Sequence, residues 1–288
     1  IRAVPLALGL SLGMMLVAMA AAAPQQADEQ QTVRATTQAL AADGLKKTAS
    51  WNWPDVTVYE QQLLSYLEQH GASPELRLQV ELFWKQSEAA DRGPALLDRL
   101  LDVGGLIEPR IAELNTQLRS PAADPVYPGK LTWLTSDVPG WLQDTVRLAC
   151  GRTFGQRKLY DESLEALSGL ETSTVCDPAT LLFYRAAAEH HLLKKDECLA
   201  SVKLLLERES ELPSRFATVA KLIAADIEPL TEDSLDEVAR LMQDVHRRLD
   251  LGRAGTRVRD EEQQIVDKLD KLIEELGVEG LDVGRQVL

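Results

Sequence analysis

Residues that usually build catalytic and metal centres are scarce in this 288-residue chain, which contains three cysteines and four histidines. No two cysteines are in C-x-x-C spacing, which disfavours a thioredoxin-type redox centre and a zinc ribbon. The metalloprotease pattern H-E-x-x-H and the hydrolase pattern G-x-S-x-G are also absent. We therefore predict a protein that is not an enzyme and that has no catalytic, cofactor or metal site.

The histidines and glycines that stand in suggestive positions do not complete a site. His190 and His191 are adjacent, so on a regular helix their side chains point about 100° apart and should not ligate one metal together. A nucleophilic pair of Cys198 with either histidine is disfavoured, because these residues flank the turn between two predicted helices. The glycine pattern that begins at Gly151 places Lys158 wrongly for a phosphate-binding loop.

Positive charge is also in deficit. The chain has 31 Lys and Arg against 45 Asp and Glu, a formal net charge of −14. Such a chain repels nucleic acid and anionic membrane surfaces, so neither is an expected partner. No acidic cluster has the D-x-D-x-D-G spacing of a calcium loop, and the acidic residues are therefore predicted to form a solvated surface.

A long apolar run occurs only at the start of the sequence. Arg2 precedes apolar residues from Val4 to Ala20, and small residues follow as far as Ala23. This order predicts a signal peptide over residues 1–23 and an exported protein, periplasmic or extracellular. The alternative is an uncleaved anchor, since a spanning helix needs about 20 apolar residues; the membrane would then be contacted only through this N-terminus.

The rest of the chain is predicted to be all-α, built from stacked antiparallel helix pairs. Aromatic residues make up only 5% of the sequence, and Leu and Ala supply most of the apolar positions, as in helix-on-helix packing. Helical spacing of apolar residues recurs, and no alternating strand pair with a hairpin turn is found. The predicted segments are a flexible lead at 24–50, an N-terminal helical region at 51–120, a proline-rich linker at 121–130, a second helical region at 131–230, heptad helices at 231–276 and a flexible tail at 277–288.

The second helical region contains an internal match at an offset of 35 residues, in which residues 159–167 align with 194–202. The alignment places small residues where two helices of a pair would cross, because backbones approach closely only at small side chains. The predicted packing positions are Gly151, Phe154, Ser163, Leu167, Ala186, Cys198 and Val202.

This pattern resembles the tetratricopeptide repeat, whose period is about 34 residues. The resemblance covers residues 141–208 and departs from the consensus at Arg147, Leu182 and Glu189, where bulky apolar or aromatic residues are usual. The stretch 181–193 is also similar to one found in uncharacterised exported bacterial proteins. The resemblance implies a solenoid that presents a concave groove to a protein or peptide, and we expect a binding scaffold of the cell envelope.

The C-terminal region has a capping-box match at Ser234 and Glu237, followed by apolar residues in heptad spacing. Two readings stay open. The two helices could form a hairpin that packs on the preceding repeats, or residues 235–276 could mediate self-association as a coiled coil. The second reading makes the protein a structural subunit of an envelope assembly. An envelope hydrolase with an unrecognised helical fold is a third alternative.

The three cysteines allow one disulfide in an oxidising compartment. Cys150 and Cys198 lie on predicted helices among small residues, where cysteine behaves as a small buried apolar group. Cys176 lies in a predicted loop between helices and is the expected member of any disulfide.

Overall fold

A computed structural model of the chain describes residues 48–85, 92–120, 131–135 and 137–286, with the backbone alone described over 278–286. The predicted signal peptide at 1–23, the lead up to residue 47 and the proline-rich linker at 121–130 lie outside the described residues.

The described part of the chain contains 11 α-helices, a short 3₁₀ turn and no strand, and most helices that follow one another in sequence pack together. The pairs α3–α4, α5–α6, α7–α8 and α10–α11 are joined by short turns, and the predicted all-α fold of consecutive helix pairs is confirmed. The helices are α1 Val56–Gln69, α2 Pro74–Lys85, α3 Pro94–Ile107, α4 Pro109–Arg119, α5 Gly140–Gln156, α6 Tyr160–Leu167, α7 Pro178–His191, α8 Lys195–Leu206, α9 Ser214–Ile227, α10 Leu235–Asp250 and α11 Thr256–Gln286.

Local sequence explains where several helices begin. The Asp55 side chain accepts from the Thr57 amide at the start of α1, and Asp177 accepts from the Thr180 amide at the start of α7. Ser234 does the same for the Glu237 amide at 3.1 Å. Each cap satisfies a backbone donor that a helix cannot satisfy internally, which fixes the first residue of the helix.

The apolar core is divided into two clusters. One cluster runs through α1–α9 and takes all its residues from Trp51 to Leu230; we call this part of the chain the body. The second consists of Val238 and Val245 on α10 with Val258 and Ile265 on α11, and we call α10–α11 the C-terminal hairpin. Within one chain, the two heptad helices therefore pack on each other as a hairpin. This hairpin has its own small core.

Helix α3 continues through Gly104 and Gly105, although glycine is unfavourable inside a helix. A Cβ atom on Gly104 would lie 2.9 Å from Leu142 Cδ1, and one on Gly105 would lie 3.2 Å from the Ala112 Cα. The two glycines therefore let α3 approach α5 and α4 closely. Packing overrides the low helix propensity of glycine at this point.

Helix α11 continues through the segment that was predicted to be a flexible tail. It has 31 residues and ends at Gln286, whereas its partner α10 has 16 residues. Glycine inside a helix costs only about 1 kcal/mol, and a helix that is already nucleated extends at little cost. Nothing lies within 4 Å of a Cβ atom built on Gly277, so a side chain at this position would meet no neighbouring group.

Asp177 is a fully buried carboxyl group at the start of α7. One oxygen accepts from the Thr180 amide at 3.0 Å, while Oδ2 has no hydrogen-bond partner among the described residues. Burial is the main reason that the pKa of Asp177 is raised to about 6. A folded-state pKa above the unfolded value contributes stability that is present below about pH 4 and is lost as the pH rises through about 6.

We expect Asp177→Asn to raise the free energy of unfolding by about 2 kcal/mol at about pH 8 and to change it little at about pH 4. Asparagine keeps the capping oxygen and removes the buried charge. Urea unfolding at both pH values measures the effect. Asp55→Asn is the matched control, because Asp55 also caps a helix but is exposed. An Asp177→Asn gain that is equal at both pH values would contradict the prediction.

Candidate binding groove

A groove with a volume of about 1030 Å³ lies between the body and the C-terminal hairpin. We call it the hairpin groove. The body side is formed by residues of α6, α7 and α9, and the hairpin side by α10. The residues that determine its chemistry are Tyr160, His190, His191, Asp226, Arg240 and Arg247.

Two similar turns build the body side of the hairpin groove. The turn α5–α6 contains Lys158 with φ 60°, and the turn α7–α8 contains Leu193 with φ 56°. In the first turn the Leu159 amide donates to the Phe154 carbonyl at 2.9 Å, and in the second the Lys194 amide donates to the Glu189 carbonyl at 2.9 Å. Both are Schellman-type helix ends. The positive φ angle and the hydrogen bond both repeat at the 35-residue offset. The two turns therefore bring Tyr160 and the two histidines to the same end of the helix pairs.

An aromatic stack occupies the centre of this surface. The rings of Tyr160 and His191 lie parallel with centroids 4.1 Å apart, and the Arg247 guanidinium lies 4.9 Å from the Tyr160 ring centroid. Partial burial lowers the pKa of His191 to about 4, and the neighbouring His190 and Arg247 lower it further in the same direction. His191 is therefore neutral near pH 7 and acts as an aromatic surface.

Asp226 connects the body to α10. It accepts a hydrogen bond from Arg240 Nη1 at 2.5 Å and contacts His190 Nε2 at 2.6 Å. Hydrogen bonds from Arg240 and then from His190 lower the pKa of Asp226 to about 2. Asp226 is thus a permanent anion over the physiological pH range.

The two adjacent histidines bind different partners, as their side-chain directions predicted. Their rings lie edge to face with centroids 5.2 Å apart. His190 contacts Asp226, whereas His191 stacks on Tyr160. Within the described ranges, no group of three or more His, Cys, Asp or Glu residues could hold a metal ion.

The predicted packing positions lie inside the helix interfaces and not in the groove. Ser163 Oγ donates to the Gly151 carbonyl at 2.8 Å, and Cys198 Sγ donates to the Ala186 carbonyl at 3.4 Å. These two contacts are equivalent at the 35-residue offset. The remaining positions, Phe154, Leu167 and Val202, are buried in the body cluster. The equivalent contacts hold the two helix pairs at similar internal spacing.

All three cysteines are free and buried in the structure. Cys176, which was the expected disulfide member, lies in a loop that packs into the core, and its Sγ is 3.9 Å from Thr145 Oγ1. Burial raises the pKa of Cys198 to about 12, which favours the protonated thiol near pH 7.

Four groove residues are not marked by any motif considered above: Tyr160, Asp226, Arg240 and Arg247. The seven-residue spacing of Arg240 and Arg247 marks one face of α10 and could have indicated a common contact. Asp226 carries no sequence pattern that separates it from other surface acids.

Comparisons of the chain with protein-family models, with curated proteins and with solved structures find no match. Across the helices that the structure describes, none combines the length and the apolar character needed to cross a bilayer.

Proposed function

We propose that the protein is a non-enzymatic helical-repeat scaffold of the cell envelope that binds a segment of a protein or peptide partner in the hairpin groove. The observation that carries this proposal is the groove itself, a concave surface of about 1030 Å³. It combines the Tyr160–His191 stack with charged residues and with exposed apolar residues such as Met242. Such a mixture suits a peptide, which offers both apolar side chains and polar backbone groups.

The repeated turn geometry supports the tetratricopeptide-like part of the proposal. Repeat scaffolds place their binding residues on one side of stacked helix pairs. The matching turns at Lys158 and Leu193 place the residues beside them on a common edge of the body. The exported location depends on the signal-peptide pattern at 1–23.

Exposed apolar residues of the hairpin, one of which also lines the groove, favour a second candidate function, a coiled-coil subunit. Leu235, Met242 and Leu249 follow one another at seven-residue spacing on α10 and are 66%, 55% and 47% exposed. Ile273 and Leu276 are similarly exposed on α11, which is longer than its partner helix. This surface would pair with a second copy of the chain if the protein assembles through its hairpin.

Photo-cross-linking in the producing cells separates the two functions. We expect a benzophenone residue in place of Gln243, which is exposed in the groove, to give an adduct with a different protein. The same residue in place of Val58, exposed on α1, is the control and should give none. Absence of an adduct at Gln243, or an equal yield at Val58, counts against the scaffold. A benzophenone residue at Ile273 that yields a dimer of this chain supports the coiled-coil candidate.

A further inference from the structure

The hairpin is attached to the body through ion pairs in which one sign of charge lies on each side. The body contributes carboxylates and the hairpin contributes arginines. Asp226 binds Arg240 at 2.5 Å. Asp161 binds Arg248 at 2.6 Å. Two further pairs of the same kind are Asp161 with Arg257 at 2.7 Å and Glu162 with Arg253, and Arg247 Nη1 also donates to the Lys158 carbonyl at 2.6 Å.

Apolar packing contributes little to this attachment. The apolar residues of the body cluster all come from 51–230, whereas the hairpin cluster contains only residues of α10 and α11. Ion pairs give a docking free energy that is sensitive to salt, because desolvation offsets part of the Coulomb attraction. The hairpin is therefore held more weakly than a helix pair inside the body.

The segment between the body and the hairpin can act as a hinge. Leu230 is the last residue of the body cluster, and its carbonyl accepts from Lys195 Nζ at 2.6 Å. Thr231 and Glu232 are exposed, and the hairpin carries its own cap at Ser234. The hairpin thus keeps its internal contacts when it leaves the body.

The body surface beneath the hairpin is suited to guanidinium groups. We call Asp161, Glu162 and Asp226, together with the Tyr160 ring, the acidic patch. Carboxylates bind guanidinium through charge-assisted hydrogen bonds, and an aromatic face binds it by cation–π contact. On α10 these groups are met by Arg240, Arg247 and Arg248, which share one side of a helix at spacings of seven and eight residues.

We propose that the acidic patch is the site at which the scaffold recognises an arginine-presenting helix of its partner, and that α10 occupies it in the free protein as an internal competitor. This inference goes beyond the proposed function, because the hairpin groove exists while α10 is docked on the body, whereas the acidic patch is exposed only when α10 has left it. The net charge of −14 favours a basic partner by long-range attraction. Because the site is open only when the hairpin undocks, the apparent affinity falls in proportion to the open fraction.

The test uses a fluorescent peptide that corresponds to residues 235–253 of this chain, and measures its binding to the full chain by fluorescence anisotropy. The open variant is Arg253→Gln/Arg257→Gln, which removes hairpin contacts to Glu162 and Asp161 and leaves the acidic patch unchanged. Arg259→Gln is the matched control on an exposed position of α11. We expect the peptide to bind the open variant about tenfold more tightly than the wild type or the control. Binding should weaken as salt rises from about 0.05 to about 0.3 M.

Two further measurements identify the recognised groups. A peptide with Gln at positions 240, 247 and 248 should not bind, and Asp161→Asn/Asp226→Asn in the open variant should abolish binding of the arginine peptide. Equal binding of both peptides, equal affinity for the open variant and the wild type, or no binding to either protein would each overturn the inference. A Gln243 adduct without peptide binding overturns this inference alone, whereas peptide binding without any adduct supports the acidic patch and contradicts the scaffold proposal.

Discussion

Replacing Gly151 with alanine is expected to destabilise the protein by about 2–3 kcal/mol, because the new methyl group overpacks the core. A Cβ atom at this position would lie 2.4 Å from both Cγ and Cδ2 of Leu167, a side chain with no exposed surface. Alanine is the better helix former by about 1 kcal/mol, so the steric effect decides the sign. Urea unfolding with linear extrapolation measures the change.

The second helix pair shows how the clash can be relieved. At the 35-residue offset, Gly151 and Leu167 correspond to Ala186 and Val202, so one methyl group has moved from one helix to the other. Gly151→Ala/Leu167→Val copies that combination and should recover at least half of the lost stability, since the total side-chain volume is unchanged. Leu167→Val alone should cost about 1 kcal/mol.

Gly277→Ala is the control for helix propensity, because nothing lies within 4 Å of its added Cβ atom. It should stabilise α11 by about 0.5–1 kcal/mol. If Gly151→Ala is neutral or stabilising, or if the double variant loses as much as the sum of the single variants, the proposed packing of Gly151 against Leu167 is wrong.

The equivalent contacts at the 35-residue offset involve residues that lie close together in one stretch of sequence. Ser163 and Cys198 were found by the 35-residue match, and both donate to the small residue on the preceding helix. Helix propensity alone would end α3 at Gly104 and Gly105, because propensity reports the cost of glycine in a helix and not the close approach that glycine allows. The neighbouring helices decide whether a glycine pair ends a helix or allows two helices to pack closely.

The hairpin groove could not be predicted, because it forms between segments that are distant in sequence. Arg248 meets Asp161 across 87 positions, and Arg253 meets Glu162 across 91 positions. In a chain with 45 acidic residues, sequence alone does not show which carboxylates receive the arginines of α10. Only the docking of the hairpin on the body selects them.

Arg248 is the residue on which the docking depends most. Its side chain is 5% exposed, and its guanidinium contacts Asp161 at 2.6 Å, Asp244 at 2.6 Å and Glu261 at 3.2 Å. These carboxylates come from α6, α10 and α11, so one cation joins the body to both helices of the hairpin. Removing a buried cation leaves its carboxylates without full compensation, which costs about 3–5 kcal/mol.

We expect Arg248→Met to cost about 3 kcal/mol, at the lower end of that range. Methionine preserves most of the apolar stem, so the change reports the charge. The remaining arginines limit the loss: Arg247 also pairs with Asp244, and Arg257 pairs with both Asp161 and Glu261. Because the hairpin has its own core, the loss should fall on its docking. Hydrogen exchange should rise at the hairpin–body contacts while the interior of α5–α8 stays protected.

Glu261 provides a test of whether Arg248 stabilises the docked hairpin through its charge. Desolvation already raises the pKa of its carboxyl group in the presence of Arg248, and without that arginine the group should take up a proton more readily. Arg248→Met/Glu261→Gln should therefore recover part of the loss, and acidification towards about pH 5 should recover part of it in the single variant. Arg259→Met is the control, on an exposed site of the same hairpin. A loss below about 1 kcal/mol for Arg248→Met would place it among ordinary surface pairs and show that apolar contacts, not ion pairs, hold the hairpin on the body.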